Sequence, residues 1–302
     1  MEQINKILVV VDPTVERDFV LDKAKLVAKA TDASLHLFIN NSNTLSEQSY
    51  FYEGIDSDFF KTQSKLFKDH YKKLLAEIEE ELQADGFTVS SEFAENNHLA
   101  ESIIEHADAI QANLVIKSTH HHDALERSII TNTDWRLIRK CPLPLMLVKP
   151  GEWHDEGKIV TAIDPLHVKA SQSRLDHVLL ESAKKIGEIL GQPVRVFHSY
   201  FPFVSALFPL GGESKDYLLR IEEQHSKKVL EVMAKHGFNE DNLELSRGEL
   251  APDLVRYLKR SDANLLVIGA LSRNFLERAI VGNTAEKILE DCPCDVLVMK
   301  DN

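Results

Sequence analysis

The chain repeats itself. Lys6-Ile7-Leu8-Val9-Val10-Val11-Asp12-Pro13 returns as Lys158-Ile159-Val160-Thr161-Ala162-Ile163-Asp164-Pro165, 152 positions later. Ala112-Asn113-Leu114 returns as Ala263-Asn264-Leu265, and Leu125-Glu126-Arg127 as Leu276-Glu277-Arg278, now 151 positions on. Cys141-Pro142 returns as Cys292-Pro293 and leads into the same apolar run. Order and spacing hold over the whole length, so the chain must build one supersecondary plan twice. Its 302 residues divide into domains 1–150 and 151–302, each large enough to bury a core of its own. Pro150 to Gly157, without hydrophobic periodicity, reads as the connector.

Within each repeat, strand and helix signals alternate. In the second, 158–163 is a β-branched run, 172–190 has helical spacing up to Gly191, and 193–197 is a strand. Residues 216–236 are helical up to Gly237, 243–246 strand-like, 251–260 helical, 265–268 an apolar strand, 283–290 helical and 295–299 a strand. Five strands alternating with four helices predict a doubly wound α/β domain with a parallel five-stranded sheet. Uninterrupted runs such as Leu265–Ile268 suit strands covered on both faces.

Charge and cysteine content narrow the function classes. The net charge is −13, and both halves are acidic, with 16 basic and 24 acidic side chains in the first and 19 and 24 in the second. Affinity for nucleic acid starts from Lys and Arg neutralising phosphates, so direct DNA or RNA binding is not expected. Three cysteines, Cys141, Cys292 and Cys294, make no disulfide framework and suit a reducing compartment. The first residues run straight into a strand, and no apolar stretch is long enough to span a bilayer. A cytoplasmic protein without membrane insertion is expected.

In open parallel sheets ligands bind beyond the carboxyl ends of the strands. That rule selects Asp12 and Asp164, with Pro165, at the first strand of each repeat, and the loops 117–131 and 269–282 after the fourth. The second loop reads Gly269-Ala270-Leu271-Ser272-Arg273, then Gly282-Asn283-Thr284-Ala285-Glu286. This pattern, set in the repeat, resembles the tandem type of the universal stress protein family. Fuller family motifs carry Gly-x2-Gly-x9-Gly-(Ser/Thr) here and an Asp ending the first strand. The resemblance implies that the Asp164 region contacts adenine and ribose, and that Gly269, Ser272, Arg273, Gly282, Asn283 and Thr284 surround the phosphates of ATP or another adenine nucleotide. It further implies a role in stress survival, including resistance to DNA damage, and pairing of the two domains through their last strands, 143–148 and 295–299. A homodimer is a further option.

Physical chemistry agrees: glycines let a backbone approach phosphate closely, and a helix N-terminus offers free N–H groups. Asn283 and Glu286 equally fit a helix-capping box. Two departures weigh against the nucleotide. Ser272 replaces the second glycine, and in the first repeat Lys117, His120 and Thr131 stand for Gly269, Ser272 and Gly282, with one residue inserted. A nucleotide is therefore expected in the second domain alone.

Three other features carry alternatives. His120, His121 and His122 are a polar exposed loop, or else one or two zinc or phosphate contacts with His98 or His106 added. Phe201, Phe203 and Phe208 lie in a proline-broken aromatic segment, either a packed loop or the wall of an apolar pocket. Cys292-Pro293-Cys294 reads as small apolar residues entering the last strand. No Gly-x-Ser-x-Gly elbow or phosphate-binding Gly-Lys-Ser/Thr loop is present, so catalysis is not expected. Three functions stay open: a stress protein binding a small molecule or protein partner, a weak ATP sensor or slow ATPase, and a carrier of an apolar ligand.

Overall fold

The computed structural model describes residues 3–13, 19–41, 57–122, 127–166, 170–201, 214–269 and 283–300. They form two compact units. One holds residues up to 120 together with 131–150; the other holds residues from 151 onward together with 121, 122 and 127–130.

The first unit runs β1 (Lys6–Val10), α1 (Phe19–Thr31), β2 (Ser34–Asn40), α2 (Ser57–Ala84), β3 (Val89–Ala94), α3 (Leu99–Ala109) and β4 (Leu114–Ser118). A two-stranded ribbon follows, β5 (His120–His122) paired with β6 (Arg127–Ile129), then α4 (Asn132–Lys140) and β7 (Leu145–Val148). The sheet order is β3-β2-β1-β4-β7, and every pairing is parallel. The second unit runs β8 (Lys158–Ala162), α5 (Ala170–Leu190), β9 (Val194–Tyr200), α6 (Ser214–Ala234), β10 (Leu243–Arg247), α7 (Leu250–Arg260), β11 (Ala263–Gly269), α8 (Asn283–Asp291) and β12 (Asp295–Met299). Its order is β10-β9-β8-β11-β12, again parallel. The doubly wound reading of both repeats is therefore correct.

The order places a switch point between β1 and β4, and between β8 and β11, where the chain has left the first strand in both directions. Central strands are sealed on both faces, as their continuous apolar runs require: Ile7, Leu8, Val9, Leu266 and Val267 are fully buried. Each such side chain contributes about 1.5–3 kcal/mol through burial. Helices end where a residue can turn left-handed. Asp32 and Gly191 do this after α1 and α5, and Gln111 and Asp262 after α3 and α7, so the turn geometry repeats even where the residue type does not.

Three readings change. Residues 120–122, expected as a loop, have strand backbone, and the first repeat's β6 clusters with the second unit against α8. The connector is fastened: Trp153 Nε1 donates to Asp295 Oδ2 at 2.7 Å, and His154 exchanges two backbone hydrogen bonds with the Asn264 amide at 2.7 and 2.8 Å. Finally, Leu8 lies beside Val115 and Val160 beside Leu266, so the strand register sets Ser118, not Lys117, at the place of Gly269.

Candidate functional site at the strand ends of the second unit

β8 ends at Ala162, and the chain turns out at Asp164, which is exposed, and Pro165, which is half-buried. The first turns of α5 hold this corner together. Asp164 N–H donates to Asp176 Oδ1 at 3.2 Å. The neighbouring Leu175 packs on Gly269 so closely that a Cβ there would collide with it. Two consecutive helix residues thus tie the end of β8 to the end of β11, and Asp164 and Gly269 border one corner of the unit. Gly269 consequently has a packing reason to be glycine, besides any approach by phosphate.

Asp176 is buried, 6% exposed, and its Oδ2 has no hydrogen-bond partner among the described residues. Burial pushes its carboxyl up to about 6; the Asp164 N–H opposes this and the Asp164 carboxylate adds to it. The sequence signal was an acid beside Leu175, on the stripe that also carries Leu179 and Ala183, and it was missed.

On β9 the alternation of the strand turns Val196, His198 and Tyr200 toward α6. His198, 1% exposed, lies with Nδ1 2.9 Å from the carbonyl oxygen of Ile163. A carbonyl only accepts, so the proton sits on Nδ1 and Nε2 takes the hydrogen bond from His225 Nδ1 at 2.8 Å. Burial holds His198 below the ordinary histidine range. Burial and then His198 do the same to His225, while Asp164 draws both upward. Tyr200 stacks on His225 and donates to Glu222 Oε2 at 2.7 Å; burial and then that carboxylate push its phenol up to about 12. A chain of neutral polar groups thus runs from Ile163 through His198 to His225, within the field of Asp164. It has no exposed nucleophile among the described residues.

The helices after the fourth strands differ. In the first unit Asp134 completes a capping box on α4: its Oδ2 accepts from Thr131 N–H and Oγ1, both at 2.8 Å, and Thr131 Oγ1 accepts from Asp134 N–H at 3.2 Å. Lys117 Nζ sits 2.9 Å from Asp134 Oδ1, and the two side chains are 7% and 0% exposed. A protein carboxylate and its counter-ion therefore occupy the anion-seeking end of α4. In the second repeat those positions are Ile268 and Ala285, and α8 begins at Asn283 with no such pair. Thr284 is exposed in its first turn. Ser272, Arg273 and Gly282 lie outside the described residues, as do Phe203 and Phe208 and the side chains of Asn283 and His120–His122. Phe201, just after β9, is 65% exposed.

The universal stress protein family profile matches this chain twice, over residues 3–149 and 157–300. The chain belongs to the universal stress protein family. Universal stress protein E of Escherichia coli (strain K12) is 31% identical over 211 residues, covering 68% of this chain and 66% of that protein, just short of two thirds of its length. The universal stress protein E homolog of Haemophilus influenzae is 26% identical over 308 residues, 97% of this chain and 96% of its own. A crystal structure of a candidate universal stress protein from Pseudomonas aeruginosa UCBPP-PA14 superposes with a TM-score of 0.75 at 25% identity, covering 98% of this chain and 93% of that one. The expected tandem family membership is thereby established. No helix among the described residues is long and apolar enough to cross a membrane.

Proposed function

We propose that this universal stress protein is a cytoplasmic stress-survival protein that acts by binding a small ligand, and that the ligand is an adenine nucleotide held by the second repeat. One observation carries the choice of repeat. α4 has its N-terminus filled by Asp134 and Lys117, whereas the matching positions of the second repeat, Ala285 and Ile268, carry no charge, which suits an outside anion at α8. The exposed Asp164 and the half-buried His225 supply polar groups for a base and ribose, with the buried Asp176 and His198 holding them from behind. The reading is of a sensor; slow ATP hydrolysis is a secondary activity it leaves open.

Calorimetric titration of the nucleotide-free protein with ATP and Mg²⁺ tests this. The expected result is one site per chain with a dissociation constant in about the micromolar range, lost in Gly282→Val. Absence of heat up to about millimolar ATP would refute it. The exposed Phe201 favours a second reading, an apolar ligand beside the aromatic segment after β9. Unchanged uptake of a fluorescent acyl probe after Phe203→Ser and Phe208→Ser would count against that one.

A further inference from the structure

On the first unit's sheet, strand alternation turns His36 and Phe38 of β2 and Ser90 and Glu92 of β3 toward α3. The register sets His36 opposite Ser90 and Phe38 opposite Glu92. The last turn of α3 lowers His106 onto this patch. Its ring stacks on Phe38 with centroids 4.4 Å apart, Nε2 is 2.8 Å from His36 Nε2, and Nδ1 is 3.7 Å from Glu92 Oε1. With one ligand atom taken from each, His36, Glu92 and His106 lie within 4.8 Å of one another, the sole such trio of metal-ligating side chains among the described residues. We propose that this trio binds a divalent d-block cation of the Zn²⁺ class.

The donors suit that class. Two imidazoles and one carboxylate favour Zn²⁺ and its neighbours over Mg²⁺ or Ca²⁺, which seek oxygen. His36 Nδ1 lies 2.7 Å from Ser90 Oγ, so Nδ1–H can donate to the hydroxyl oxygen and leave Nε2 as the ligand, the arrangement that orients metal-bound histidines. His106 has its ring plane fixed by Phe38. Both rings are held below the ordinary histidine range by burial, His36 also by His106 and Lys6 while Glu92 and Glu79 oppose; neutral rings are the ones that ligate. Tetrahedral ligation puts ligand atoms about 3.3 Å apart, so the two Nε2 atoms need to open by only about 0.5 Å. Glu92 is exposed, which leaves a position for water.

The second repeat shows what this place in the fold holds otherwise. By strand register and helix alignment, His36, Glu92 and His106 correspond to Arg195, Glu244 and Tyr257. There Tyr257 packs on Phe197, and the Arg260 guanidinium pairs with Glu244. The place of Arg260 is Ala109 in the first repeat. One repeat sets a built-in cation beside the glutamate of its third strand; the other sets two imidazoles there, which supply positive charge by binding it. The cation would clip the edge strand β3 to β2 and α3.

Full-length protein, stripped with a chelator and dialysed, is titrated with Zn²⁺ against a chromophoric competitor, and with Co²⁺ for its visible spectrum. One tight site per chain and an intense tetrahedral Co²⁺ band are expected. Both are lost in His106→Phe, whose ring keeps the stack on Phe38, and in His36→Gln; Glu92→Gln and Ser90→Ala weaken binding about 10–100-fold. Circular dichroism and melting in chelator verify that the variants fold. The proposal is overturned by no binding at micromolar Zn²⁺. It is equally overturned by binding that survives His36→Gln and His106→Phe, whether or not it disappears when His120–His122 are replaced.

Discussion

α4 and α8 are the same helix in two repeats, and two positions at their N-termini carry different chemistry. α4 is closed by a buried carboxylate with its own lysine, while α8 carries neither. An internal Asp134 does for α4 what a bound phosphate does for other helices: it satisfies Thr131 N–H and lies at the positive end of the dipole. The lesson is that a buried carboxylate with its own counter-charge can meet the electrostatic demand of a helix N-terminus from within the fold.

The largest expected effect comes from breaking the closed end. Lys117→Met leaves Asp134 buried without its counter-charge and should cost about 3–5 kcal/mol in urea unfolding. Installing the second repeat's residues together, Lys117→Ile with Asp134→Ala, should cost at most about 1–2 kcal/mol, mostly the lost cap. Equal losses in the single and double variants would show that the pair does not act as a unit.

Next is the strand-end corner, where the carboxyl of Asp176 in α5 sits at about 6 against an ordinary 3.8. The native state holds this proton more tightly than the unfolded chain does. Stability should therefore fall as pH rises from about 4 to about 6 and stay reduced above. Asp176→Asn removes that cost, raising stability on the order of 2–3 kcal/mol at pH 8 and changing nothing near pH 3. A variant less stable than the parent at pH 8 would mean that Asp176 has an ionised role in the fold.

Gly269→Ala should destabilise by about 1–3 kcal/mol through its collision with Leu175, while Ser118→Ala, at the matching place, should stay within about 0.5 kcal/mol. Comparable costs at both positions in thermal melts would remove the packing explanation for this glycine. The smallest effect sharpens the comparison most. Ala285→Asp copies the closed end into the second repeat and should weaken ATP at least about tenfold with melting unchanged. Undiminished affinity would place the nucleotide elsewhere.

The architecture was open to reading because its signals are local. Apolar runs such as 7–11 and 265–268, helical stripes and stop glycines fix elements, and duplication shows each twice. The Asp164 and Gly269 positions followed from a general rule of parallel sheets. What escaped depends on residues far apart in sequence. His36 and His106 are 70 residues apart, His198 and His225 meet only once α6 folds back on β9, and Lys117 finds Asp134 across the whole loop. The sequence singled out His106 only as an added ligand for 120–122; sheet alternation and helix placement set it against His36 instead. Lys117 looked like a lost glycine until the register gave that place to Ser118.

The fastened connector has an optical consequence. The chain has two tryptophans, Trp135 in α4 of the first unit and Trp153 hydrogen-bonded to Asp295 in the second. Either one changed to phenylalanine leaves a single emitter that reports on one unit alone. The two repeats can thus be watched separately by intrinsic fluorescence while they remain one polypeptide.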